Sequence, residues 1–214
     1  MDENGKSEKL TQHVIRQINN VFGLEKKEIN ILMSTGGGQK AYNRTLKCLN
    51  GFINKYYSNV IDPFNSVMYC IYLYWYSKEM ATRGYISIAD RIYYLNKMLN
   101  SVELFHGIDL PEVWSCEHPV GSVMGRAKYG NKFLFYQNCT VGGSPDKDGG
   151  ICYPEIGENV LMYSYSSIIG DCNIGKNVVL STGTSVINQN VPSDVIVFGK
   201  SPNLIFKVRK RDYI

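Results

Sequence analysis

Two hydrophobic periods divide the chain. Over roughly the first hundred residues, apolar positions recur at helical spacing. Leu10, Val14, Ile18 and Val21 form one stripe, with Ser7 as the expected N-cap. Phe64, Val67, Ile71, Tyr74 and Trp75 form a second after Pro63, closed by Gly84. Ile88, Ile92, Leu95 and Leu99 form a third after Ser87. The run Ser34-Thr35-Gly36-Gly37-Gly38 interrupts the pattern and reads as a loop. It lacks the G-x-x-x-x-G-K-[S/T] spacing of a phosphate loop, so it implies no nucleotide site.

After about residue 103 the period becomes six. Ile156, Met162, Ile168, Ile174, Leu180 and Val186 follow one another at that step, and Val160, Ser166, Cys172, Val178, Thr184 and Asn190 follow four residues behind. Leu110, Cys116 and Ser122 keep the step upstream, and Phe133 and Cys139 resume it after a one-residue slip. Six residues rotate a helix by about 600°, so an apolar face would drift, while an ordinary strand alternates every two. A six-residue unit suits one flat side of a triangular parallel β-helix, with a large aliphatic residue pointing inward and a small one at the corner. Three units make a coil of about eighteen residues that buries its face on the next. A β-sandwich with coincidental spacing is the alternative. The polar, Gly-rich stretch GSPDKDGGICY from Gly143 to Tyr153 breaks the period and is expected to leave the coil as an external loop, where function commonly sits.

Composition narrows the chemistry. The 214 residues carry 23 Lys and Arg against 19 Asp and Glu, a net charge of +4, too mild by itself for a nucleic-acid binder. The three histidines, His13, His106 and His118, are too few for a His-rich metal cage, so no metal site is expected. None of the six cysteines forms a C-x-x-C pair, and the charged start lacks an apolar signal region, so a cytoplasmic protein with free thiols is expected. Val67 to Tyr76, the longest apolar stretch, falls well short of the ~20 residues of a membrane span. Nine of the 16 tyrosines fall between Tyr56 and Tyr94, a cluster expected to pack helices rather than hold a cofactor.

Three motifs carry a family resemblance. Val102-Glu103-Leu104 lies fifteen residues before Glu117-His118-Pro119-Val120-Gly121. Gln137-Asn138-Cys139-Thr140-Val141-Gly142-Gly143 follows, and Gly199-Lys200-Ser201-Pro202 closes the repeat. From about Asn65 to Lys207 the chain resembles the serine acetyltransferases among the hexapeptide-repeat acyltransferases. That resemblance implies an α+β fold: an N-terminal α-helical domain (1–102), then a left-handed parallel β-helix (103–206) with an external loop at about 143–154. A basic tail (207–214) follows, solvated or reaching the phosphates of coenzyme A.

The resemblance also implies an acetyl-CoA-dependent O-acetyltransferase. His118 stands as general base, since a hydroxyl at neutral pH needs a base within reach as it attacks a thioester. Glu103 stands at the family's carboxylate position, with one methylene more than Asp. Glu117 would orient the acceptor hydroxyl. Gly142, Gly143, Ser164, Thr182, Lys200 and Pro202 match donor-binding positions. In the family an Arg-His pair holds the amino-acid acceptor; here Cys152 and Tyr153 replace it, and neither can fork onto a carboxylate as Arg does. This departure speaks against serine as acceptor and at least as much for a neutral hydroxyl, on a sugar or saccharide precursor. Genuine serine O-acetylation and a non-catalytic β-helix scaffold are the alternatives. A γ-type carbonic anhydrase would need three zinc-binding histidines. The family assembles as homotrimers with sites between neighbouring coils, and the helical domain is a candidate for pairing trimers.

Overall fold

The computed structural model describes residues 3–52 and 60–214. Tyr56 and Tyr57 of the tyrosine cluster lie outside the described residues. Five helices come first: α1 (Glu3–Phe22), α2 (Lys26–Ser34), α3 (Gly37–Asn50), α4 (Ser66–Thr82) and α5 (Ile86–Asn100). Parallel strands wound into a left-handed β-helix follow.

Helix α4 is the axis of the first domain. Burial runs all round it, from Val67 to Met80 with Lys78 as the exception, so no single stripe describes it. Asn65 caps it, its side-chain oxygen accepting from the N–H groups of Val67 (3.1 Å) and Met68 (3.2 Å). Its one acidic residue, Glu79, is 3% exposed and is matched by Lys40 and Arg44, each at 3.1 Å. Arg44 also stacks 3.4 Å from the Trp75 ring centroid and reaches Glu112 at 3.1 Å, tying α3 and α4 to the entrance of the coil.

Several expected helix boundaries move. Ser7 is not a cap; it lies inside α1 and is buried. Ser87 lies inside α5, whose cap position is Tyr85. Phe64 precedes α4 and is 90% exposed. Val21 and Leu99 face solvent, and Ile15 joins the buried side of α1 instead. The glycine run is only partly loop, because Gly37 and Gly38 open α3. A Cβ on Gly38 would lie 2.1 Å from Thr11 Oγ1, so α1 and α3 approach there as closely as a missing side chain allows.

The coil has three faces. The first stacks Trp114–Cys116, Phe133–Phe135, Val160–Met162, Val179–Leu180 and the start of Val195–Lys200. The second stacks Val123–Met124, Thr140–Gly142, Ser167–Ile169 and Ser185–Ile187. The third stacks Lys128–Tyr129, Glu155–Ile156 and Asn173–Ile174. The six-residue series from Ile156 to Val186 is buried throughout, as are Leu110, Cys116, Ser122, Phe133 and Cys139. Register confirms the coil length: Leu161 pairs with Val179, and 179 − 161 = 18. The outer loop inserts nine more residues, since Phe133 pairs with Val160 and 160 − 133 = 27 = 18 + 9. The period fails at its end. Asn190 is exposed and Val191, 3% exposed, takes the inward place by bridging Ile174, a step of 191 − 174 = 17.

Corners are built from residues with positive φ. Between the third and first faces stand Lys132, Asn159, Asn177 and Asp194, at φ of 56°, 58°, 57° and 61°. Asparagine and aspartate tolerate this region best among residues with a side chain. The Asn159 amide donates to Asn177 Oδ1 (2.8 Å), and the Asn177 amide donates to Asp194 Oδ1 (2.7 Å), so the corner is also a side-chain ladder.

The last strand, Asn203–Val208, pairs antiparallel with Val195–Lys200, so Lys207 and Val208 belong to the coil. Residues 209–214 fold back over the outside of the first face. Tyr213 and Ile214 pack on Leu134, Leu161 and Val179. The Arg209 side chain is 5% exposed, pairs with Asp212 and donates to the Asn159 carbonyl (3.3 Å). Among the described residues no helix is long and apolar enough to cross a membrane.

Candidate active site

The residues singled out from the sequence fall on the two edges of the second face. The edge shared with the first face carries Glu117 and His118. Glu117 donates its N–H to the Phe135 carbonyl (2.9 Å), and His118 follows at φ 49° with an exposed imidazole. Pro119 is buried behind it. Ser164 and Thr182 stand higher on the same edge in successive coils, where the Gly183 N–H meets the Ser164 carbonyl at 3.0 Å. Ser164 is half-buried and Thr182 exposed.

Glu103 is engaged by a residue other than His118. Its backbone bridges Val123 one coil away, and its carboxylate lies 2.6 Å from Lys97 Nζ on α5. That hydrogen bond raises the Lys97 pKa. No ion pair joins Glu103 to His118 among the described residues. The expected carboxylate–imidazole pair is therefore not formed in the single chain, because α5 ends close enough to claim the acid.

The opposite edge, shared with the third face, carries the loop. Ser144–Pro145 and Ile151–Cys152 pair antiparallel, and Asp146 Oδ1 accepts from the N–H groups of Asp148 (2.9 Å) and Gly150 (2.7 Å), so the loop is a hydrogen-bonded hairpin. Gly142 lies in the second-face strand beside Ile169. A Cβ on Gly143 would lie 2.8 Å from Tyr153 Cε1 and 2.6 Å from Ile151 Cγ2, so Gly143 is where the loop closes on its own base. Cys152 is half-buried and lines a pocket of about 520 Å³ with Asp146, Asp148, Asp171 and Asn188. Lys200 pairs with Ser185 at the top of the second face, and Pro202 lines a pocket of about 330 Å³ with Ile187, Asn188, Gln189 and Ser201. The Gln189 Oε1 atom is buried there with no hydrogen-bond donor.

One residue at this edge was not read from the sequence. Arg126 donates from Nη1 to the Tyr153 hydroxyl (3.4 Å), with its guanidinium carbon 5.3 Å from the ring centroid. Its position just past a second-face strand marks it as a corner residue, but only the stacking of coils brings it to a tyrosine 27 positions on.

Similarity to known proteins points the same way. The chain is 33% identical over 115 residues to a serine acetyltransferase of Synechococcus elongatus, covering 53% of this chain and 46% of that one. It is 31% identical over 135 residues to one of Staphylococcus epidermidis, covering 63% and 62%. The chain is serine acetyltransferase-like. It spans only about half to three-fifths of those curated relatives. Its fold is shared with solved serine acetyltransferases: that of Neisseria gonorrhoeae gives a TM-score of 0.73 at 19% identity, over 98% of this chain and 80% of that one. That of Brucella abortus in complex with coenzyme A gives 0.68 at 17% identity, over 95% and 84%. No family model matches the chain.

Proposed function

We propose that the protein is an acetyl-CoA-dependent O-acetyltransferase acting on a hydroxyl of a small molecule or saccharide, with His118 as general base. The carrying observation is an exposed imidazole held at a strained corner of a hexapeptide coil whose solved relatives include a serine acetyltransferase with coenzyme A bound. His118 takes the acceptor's hydroxyl proton as the oxygen bonds to the acetyl carbon. The carbon–sulfur bond breaks, and the imidazolium returns the proton to the departing thiolate. Charge and atoms balance without a metal or a redox partner.

The donor arm fits the top of the second face. The pocket beside Pro202 offers a buried acceptor atom, Gln189 Oε1, to an amide N–H of the pantetheine. Ser164 and Thr182 flank the same face. Glu117, next to His118, is assigned to the acceptor.

The two edges bound opposite sides of the second face, with the strand Val123–Met124 standing between His118 and Arg126 in the first coil. A single copy therefore does not bring the loop to the base. A homotrimer, or a dimer of trimers, in which one copy's loop edge meets the next copy's His118 edge, completes the site. We place the protein in the cytoplasm on its unpaired thiols.

Thiol release from acetyl-CoA, with and without a panel of serine, homoserine, nucleotide sugars and oligosaccharides, tests the reading. Acceptor-dependent release that is lost in His118→Ala, with coenzyme A binding retained, is expected. Undiminished release in His118→Ala overturns the base assignment, and no release with any acceptor overturns the activity.

A further inference from the structure

We propose that the acceptor is a saccharide, and that its ring lies on an aromatic ledge of Tyr165, Tyr163 and Tyr136 on the His118 edge. The inference rests on the acetyltransfer reading and names the substrate class of that same site.

Strain picks out the ledge. At the corner between the first and second faces each coil turns through one residue of positive φ: Gly121 (76°), Asn138 (55°), Tyr165 (61°) and Gly183 (73°). The turn is the same from coil to coil. The Asn138, Tyr165 and Gly183 N–H groups bond the carbonyls of Val120, Gln137 and Ser164 at 2.9, 3.1 and 3.0 Å. Glycine and asparagine adopt this region at little cost; a tyrosine does not. Among the described residues only two side chains with a ring stand at positive φ, His118 (49°) and Tyr165, and both are on this edge. Packing does not account for the tyrosine, because it is 64% exposed. A costly conformation that buries little is one that function retains.

Two more rings flank it in the same corner. Tyr136 and Tyr163 hold one register position in successive coils, their N–H groups bonding the Met162 and Leu180 carbonyls as the Glu117 N–H bonds that of Phe135. The two rings lie 5.2 Å apart at 39°. Both are half-buried against Leu134, Leu161 and Val179, so each is held yet keeps open surface. Burial first, and the Glu117 carboxylate second, push the Tyr136 phenol upward, which sets the acid beside this ring.

The chemistry of the edge fits a sugar. An aromatic ring takes the C–H face of a pyranose by dispersion, and a carboxylate accepts from its hydroxyls. Across 117–121, 136–138, 163–165 and 181–183 the edge holds no Lys or Arg, so it offers an anionic acceptor no cation. Tyr165 stands two coils above the corner that follows His118, about 10 Å at ~4.8 Å per coil. That span suits two linked rings, one on the ledge and the next with its hydroxyl at the imidazole.

The test compares methyl maltoside, methyl glucoside and glucitol, and then lactose, methyl galactoside and galactitol, as acceptors. Wild type is expected to favour two rings over one and one over the ringless polyol in at least one series, and to favour that disaccharide over serine. Tyr165→Ala should raise the KM for the disaccharide about 5- to 50-fold, with the KM for acetyl-CoA unmoved. Tyr165→Phe, which keeps the ring, should stay near wild type. Tyr165→Gly separates function from structure: it should lose the disaccharide as Tyr165→Ala does, yet melt at or above wild type, because glycine relieves the corner. Wild-type turnover that ignores the ring, or that prefers serine, overturns the proposal. So does an unchanged acceptor KM in Tyr165→Gly. A raised KM for acetyl-CoA, or a changed assembly state, also overturns it by making Tyr165 a donor or subunit contact. If wild type releases no thiol with any acceptor, the acetyltransfer reading falls, and saturation-transfer NMR with lactose and methyl maltoside decides the ledge alone. Sugar contact that is lost in Tyr165→Gly upholds it; contact that is absent from wild type, or unchanged in the variant, removes it.

Discussion

The Glu103 carboxylate lies 2.6 Å from the Lys97 ammonium, joining the last turn of α5 to the first coil. A carboxylate engaged there is not available to orient His118, and both partners of the pair are about two-fifths exposed. Exposed pairs of this kind contribute little to stability. Glu103→Gln is therefore expected to fold normally and to lower kcat by less than about tenfold, whereas His118→Ala lowers it by about 100- to 10,000-fold. Steady-state kinetics on the two variants decides it: comparable losses would place Glu103 at the imidazole during turnover and its bond to Lys97 outside the catalytic state.

Gly157 stacks on Gly175, and Gly130 stacks on Gly157. An added Cβ at Gly157 would lie 2.8 Å from the Gly175 carbonyl carbon, and one at Gly130 would lie 2.4 Å from that of Gly157. Both obstacles are backbone, so no side chain can swing aside. Gly157→Ala should destabilise the coil by about 1–3 kcal/mol as overpacking does. Gly142→Ala is the contrast, because its Cβ would meet only Ile169 Cδ1 at an ordinary 3.7 Å. Denaturant midpoints should fall for the first and stay within about 0.5 kcal/mol of wild type for the second. Equal losses would show that coil spacing relaxes freely.

What was legible in the sequence follows from what repeats. Ile156 to Val186 recur because each coil sets the same inward position on the last, so the coil and its length could be read directly. Helix α3 could not: on its buried side Gly37, Gly38, Ala41, Thr45 and Cys48 are small, and only Tyr42 and Leu49 are large, too few to make a hydrophobic stripe. Helix α4 was legible as a helix from Val67, Ile71, Tyr74 and Trp75, but its burial nearly all round was not, because a single stripe names only one side. At the site, Glu117, His118, Gly142 and Gly143 could be recognised from local motifs. Arg126 and the Lys97–Glu103 pair are meetings across coils or domains, which no local spacing encodes.

Thiol chemistry should separate one cysteine from the rest. Cys152 is half-buried at the loop base, and the other five are buried. Burial pushes the Cys48 thiol up to about 11, and Cys139 and Cys172 upward as well. An unfolded thiol ionises near ~8.5. Between that value and 11 the native state keeps a proton at Cys48 that the unfolded state sheds. The contribution is complete below about pH 8.5 and is lost as pH rises toward 11, at ~1.4 kcal/mol per pH unit for each such thiol. A disulfide reagent at pH 8 should modify one thiol quickly, and none quickly in Cys152→Ser. Denaturant midpoints should fall from pH 8.5 to 11; a flat profile would mean that these thiols ionise alike in both states.

Residues 209–214 make a last, separable demand on the fold. Leu134, Leu161 and Val179 point outward from the first face, where a coil would ordinarily show polar groups, and Tyr213 and Ile214 cover them. Arg209 anchors the strap, its side chain 5% exposed between Asp212 and the Asn159 carbonyl. Arg209→Ala should leave that carbonyl and the Asp212 carboxylate without the guanidinium and loosen the strap, costing about 1–3 kcal/mol. Tyr213→Ala should cost a similar amount through apolar area returned to water. In both variants a hydrophobic dye should bind where it does not bind wild type, because the uncovered strip is contiguous along three coils. Unchanged melting and no dye binding would show that the strap rests on the coil without stabilising it.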